Sequence, residues 1–204
     1  MNLIILASVL VFILILRFFI KKNDKEMTQT MRGFLEKEQA ANFVRKKPLD
    51  DLPYVTIPDF ILTMTLPDDP DFAEAKRMIT HLKDTKIVNF TGVSNTDLKY
   101  RYGTANIGVL SEYDQNYLHL LRSLHGMGKS LLSAGRKDDA KKVWEYAVEI
   151  GSDMMSTYLS LAEIYHDEGH PEEIEELIFK ASLLPSITSK SITRKLRATF
   201  FSEM

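Results

Sequence analysis

No cysteine occurs in this chain of 204 residues. That excludes a disulfide framework, a cysteine nucleophile, a Cys-ligated zinc or iron–sulfur site, and lipid modification of an N-terminal cysteine. An excess of one charge is lacking too. With 26 Lys and Arg against 28 Asp and Glu, the formal net charge is −2, which argues against a protein that coats nucleic acid. Proline is sparse outside one stretch: five of the seven are Pro48, Pro53, Pro58, Pro67 and Pro70. What remains is 45% apolar and 26% charged, a globular composition. The length suits one domain plus an appendage.

The balanced total hides a strong segregation. Residues 21–47 carry +4, 48–71 carry −6, 112–185 carry −7 and 186–204 carry +3. Ahead of them, every residue from Leu3 to Leu16 is apolar except Ser8, and Phe18, Phe19 and Ile20 extend the run past Arg17. Eighteen helical residues at ~1.5 Å rise span roughly 27 Å, close to the hydrocarbon core of a bilayer. Arg17, near one end, can snorkel to the headgroups. A cleaved signal peptide fits less well, because no Lys or Arg precedes the run and no small-x-small cleavage site follows it. Residues 1–20 are therefore expected to be a single transmembrane anchor in contact with lipid through 3–20. Arg17, Lys21, Lys22 and Lys25 on one flank place the C-terminal body in the cytoplasm by the positive-inside rule.

Residues 21–47 read as a basic helical stalk. Met27, Met31, Phe34 and Leu35 recur at helical spacing, and Phe34, Leu35 and Phe43 suggest one apolar side. An amphipathic helix lying on anionic lipid is the alternative, helped by Arg45, Lys46 and Lys47 and opposed by Glu36 and Glu38. Residues 48–111 read as an extended proline-rich strap followed by short helices, all packing on the body. Proline biases the residue before it to extended backbone, and Tyr54, Val55, Ile57, Phe60, Ile61, Leu62 and Leu66 give the strap apolar groups that a disordered linker would not need. Its six Asp residues lack the spacing and Gly of an EF-hand. Asp69-Pro70 instead reads as an N-cap before a first-turn Pro. A helix should follow to about Lys83 with Phe72, Ala75, Ile79 and Leu82 on one face. Lys86–Gly92 should be extended or loop. Ser94–Tyr102 should be a second short helix ending at Gly103.

From Ser111 the pattern is helical, and within it lies a repeat. Gly135 and Gly169 are 34 positions apart, as are Leu124 and Tyr158, Met127 and Leu161, Gly128 and Ala162, Leu131 and Tyr165. Ala140 matches Ile174, Trp144 matches Ile178 and Ala147 matches Ala181 at the same interval. The pattern resembles the tetratricopeptide repeat family, whose period is 34 and whose signature runs W-x2-L-G-x2-Y, A-x3-F, P. Leu124 stands at the Trp position, Ile174 at a small Ala, and Ser152 and Ser186 at the prolines. The resemblance covers about 121–188, in units of about 121–154 and 155–188. It implies an all-α domain over 112–204, built of antiparallel helical hairpins and closed by a capping helix at 189–201. Ile192, Leu196 and Phe200 form the apolar stripe of that cap. The layout as a whole resembles anchored bacterial proteins, a likeness that implies no activity.

Several motifs carry less than they suggest. Gly126-Met127-Gly128-Lys129-Ser130 ends like a phosphate-binding loop, but Ser123 holds the place of the first Gly and the stretch falls inside a helix. His166 and His170 have zinc-pair spacing, but Asp167, not Glu, follows the first and Gly169 breaks the helix. The acidic run Glu172–Glu176 suits a helix start. No catalytic constellation, cofactor site or metal site is expected, and the chain is read as a non-enzyme. The family resemblance implies a concave groove lined by the first helix of each unit: Arg122, His125, Lys129, Leu132 and Ser133, then Ser156, Leu159, Glu163, His166 and Asp167. Arg122, His125 and Lys129 would form a cationic ladder for an acidic or C-terminal carboxylate peptide. The expectation is a membrane-tethered adaptor that binds a protein or peptide partner, with no nucleic acid. The alternative is a structural subunit of a larger membrane complex with no open groove.

Overall fold

The computed structural model describes residues 2–201, with side chains throughout 30–201 and at Ser8, Phe12, Ile13, 15–17, Phe19 and Lys21 before that. Among the described residues the protein is all-helical, with no strand and one isolated antiparallel bridge between Tyr54 and Val88. The chain forms two compact units, Met1–Lys47 with Asn95–Ile107, and Pro48–Ser94 with Gly108–Met204.

The first unit is built on α1 (Asn2–Asn42), one uninterrupted helix of 41 residues. Among the described residues, no helix is long and apolar enough to cross a membrane. The expected anchor at 3–20 falls largely on positions whose side chains lie outside the described residues. Helix α4 (Asn95–Tyr102) packs beside the C-terminal part of α1. This differs from a simple linear order, in which 95–107 would group with the strap, and the reason is a set of polar ties. Glu38 accepts from Thr96 Oγ1 at 2.5 Å and pairs with Lys99, while Lys37 reaches Asp97 at 2.6 Å. These bonds pull the Glu38 carboxyl below the ordinary carboxylate range, Lys99 first and Thr96 second. Asn106, in a single 3-10 turn (Thr104–Asn106), donates to the carbonyls of Lys47 and Tyr102 at 2.8 and 2.7 Å. Gly103 has φ +88°, and a side chain there would collide with the Arg45 backbone, so only glycine fits the crossing.

The second unit holds α2 (Asp59–Thr63), α3 (Pro70–Leu82), most of α5 (Ile107–Ser133), α6 (Lys137–Glu149), α7 (Met155–Glu168), α8 (Pro171–Ser182) and α9 (Ser189–Phe200). Helix α3 starts where Asp69 accepts from the Phe72 amide at 2.7 Å, and it buries Phe72, Ala75, Ile79 and Leu82. The same Asp69 oxygen receives Ser130 Oγ of α5 at 3.2 Å, so one carboxylate caps a helix and ties it to another.

The strap is not extended throughout. Pro58 opens the short helix α2, and Lys76 Nζ closes it by donating to the carbonyls of Ile61, Leu62 and Met64. These are carbonyls that a helix C-terminus leaves without intrahelical partners. Ile57, Ile61 and Met64 enter the same apolar core as Leu131, Val143 and Trp144. Tyr146 Oη donates to Thr56 O at 3.0 Å, and Arg136 donates to Thr65 O.

Turn chemistry recurs at the interval read from the sequence. After α5, Gly135 adopts φ +76° and the Arg136 amide donates to Leu131 O at 2.9 Å. After α7, Gly169 adopts φ +75° and the His170 amide donates to Tyr165 O at 2.9 Å. Both are left-handed helix stops closed by the same backbone bond. Between α5 and α6 the packing is set by Trp144, fully buried over Gly128, where even a methyl group would overlap the indole. Thirty-four positions further on, Ala162 and Ile178, a larger and a smaller residue than Gly128 and Trp144, take the matching places, and both are buried.

Candidate partner-binding surface

Helices α5 and α7 each bury one face and turn the other outward. On α5 the buried face is Leu120, Leu121, Leu124, Met127, Gly128 and Leu131. On α7 it is Thr157, Tyr158, Leu161, Ala162, Ile164 and Tyr165. At 100° per residue, Arg122 and Lys129 fall opposite the first set, and Ser156 and Glu163 opposite the second. All four are exposed, as are Ser133, His166 and Asp167. Leu132 is 37% exposed and Leu159 is half-buried against the core.

The two histidines depart from the expected surface. His125 is half-buried and stacks on Trp144, with centroids 6.1 Å apart and planes 27° apart. Its Nδ1 lies 3.3 Å from Thr157 Oγ1, and its carbonyl accepts from Trp144 Nε1 at 3.4 Å. Burial first, and the Lys129 charge second, push the His125 pKa down, so the ring is neutral at pH 7. The cationic ladder thus has two charged rungs, Arg122 and Lys129. His166 lies with its ring 5.6 Å from that of Phe200 of α9, so the capping helix reaches one end of the surface.

The surface is split in sign. Arg122 and Lys129 on α5 are positive, while Glu163 and Asp167 on α7 are negative. The strap leaves these residues uncovered. Its polar ties go to Ser130, Arg136 and Tyr146, which lie off this face. Sequence reasoning missed those ties, because a side chain reaching a partner 61, 71 or 90 positions away leaves no local pattern.

The other motifs are accounted for. Gly126–Ser130 lies within α5, with Ser130 bonded to Asp69. His170 pairs with Glu172 at 2.9 Å and His166 packs on Phe200. Among the described residues, no three metal-ligating side chains converge. No family model, no curated protein and no solved structure matches this chain, so the surface is read from its own chemistry.

Proposed function

We propose that this protein is a membrane-tethered adaptor of tetratricopeptide type. In this reading the apolar run at 3–20 anchors the chain, the body lies on the cytoplasmic side, and the outward faces of α5 and α7 bind a segment of a protein partner. The observation that carries it is the open face: Arg122, Lys129, Ser156 and Glu163 stay exposed beside a strap that is tied down elsewhere. The recurrence of the same glycine stop and the same turn bond 34 positions apart supports the repeat reading. A partner with an acidic patch facing α5 and a basic or hydroxyl group facing α7 matches the split charge. Tethering raises the local concentration of whatever is captured at the bilayer.

A second reading is a structural subunit of a larger membrane complex. It draws on α1, where Met31, Phe34 and Leu35 stand exposed at neighbouring positions of one helix face and call for a neighbour.

The test is affinity capture of the tagged full-length chain after cross-linking in its native membrane, beside an Arg122→Glu/Lys129→Glu variant expressed to the same level. Both side chains are exposed, so the variant should fold. A partner held by the parent and lost at least tenfold in the variant is the expected result. Identical partners in both forms would remove the α5–α7 face from the function and favour the subunit reading.

A further inference from the structure

Helices α8 and α9 pack against each other and leave a cleft of about 1210 Å³ between their outer flanks. Ile178 and Phe179 of α8 and Phe201 after α9 give it an apolar floor. Phe179 is 62% exposed over that floor, and an uncovered large apolar side chain beside a cleft marks a contact surface.

The walls of the cleft differ in sign. On the α8 side stands Glu175. On the other side stand Arg194 and Arg197, in a helix with Lys190 and Lys195 and no acid. Glu175, Arg194 and Arg197 make no ion pair among the described residues, so their charges are not spent inside the molecule. A binding helix of one charge sign would be attracted by one wall and repelled by the other. The surface that presents base where this one presents acid, and acid where it presents base, is this same face turned by a two-fold axis. Self-complementarity of that kind is what an isologous interface requires.

We propose that the α8–α9 face docks a second copy of this chain, with Arg194 and Arg197 of each copy against Glu175 of the other and Phe179 covered between them. The contact lies apart from the α5–α7 face, and two copies would present two such faces to a partner.

The experiment uses the full-length chain in detergent and reads its protein mass by light scattering. The parent is expected to be a dimer. Arg194→Glu/Arg197→Glu makes both walls acidic, and Glu175→Arg sets base against base. Each variant alone is expected to weaken self-association at least tenfold. Mixed together they restore both junctions, so a tagged copy of one should capture the other at the parent level. Rescue on mixing shows that neither variant is merely misfolded. A monomeric parent overturns the proposal. So do variants that dimerise as the parent does, and so does loss in each variant without rescue in the mixture.

Discussion

At His125, burial and a neighbouring charge act in the same direction. The ring lies between Trp144 and Thr157, with Lys129 one turn away, and both effects disfavour the imidazolium. The folded pKa is therefore below the ordinary value of 6.5, and the unfolded chain binds the proton more readily. Stability contributed by the neutral ring is complete above pH 6.5 and falls as pH drops from there through the folded pKa. The other four histidines are exposed. Thermal melts should show Tm declining from pH 6.5 towards 5, before carboxylate protonation begins. His125→Gln should flatten that part of the curve, and an unchanged slope would deny His125 this role.

At the scale of elements, the two repeated units solve one packing problem with different pairs. Gly128 leaves room for Trp144, whereas the positions 34 residues further on hold Ala162 and Ile178, both buried. Gly128→Ala should cost about 1–3 kcal/mol through overpacking. Trp144→Ile leaves a void beside a glycine and should cost about 2–4 kcal/mol. The double variant recreates the second unit's pair, so its cost should fall below the sum by about 1 kcal/mol or more. Urea melts of the four forms measure this coupling, and strict additivity would mean that the two sites do not share one space. The 34-residue interval between the two glycine turns was legible in the sequence. So was α3, from Asp69-Pro70 and its apolar spacing, whereas the outward positions of α5 and α7 were assigned through the family resemblance. The joining of α4 to α1 was not legible, because it depends on bonds such as Glu38 to Lys99, sixty-one positions apart. Nor was the half-burial of His125, set by a residue of the next helix. The strap's short helix escaped for a similar reason: its carbonyls accept from Lys76, fifteen or fewer positions downstream and outside any capping pattern.

At the scale of the molecule, the length of α1 bears on how the chain meets a bilayer. The helix runs without a break from Asn2 to Asn42. On the anchor reading, 3–20 occupies the hydrocarbon core and the remaining 22 residues continue the same rod for roughly 33 Å beyond it. A stalk lying flat on lipid would need a sharp bend near Lys21, and such kinks arise at proline, at glycine or at bulges. Residues 21–32 contain neither proline nor glycine. Glu38, whose charge opposed the lipid-bound alternative, is engaged by Lys99 and Thr96, so charge alone no longer decides between the two, and on the anchor reading the unbroken rod favours the upright stalk. The absence of native cysteine makes the test direct. A fluorophore on Lys21→Cys in vesicles containing a headgroup quencher should be strongly quenched. The same label on Asn42→Cys should be quenched several-fold less, being well beyond the headgroups. Similar quenching at both positions would lay the stalk on the membrane, with Met31, Phe34 and Leu35 in contact with lipid.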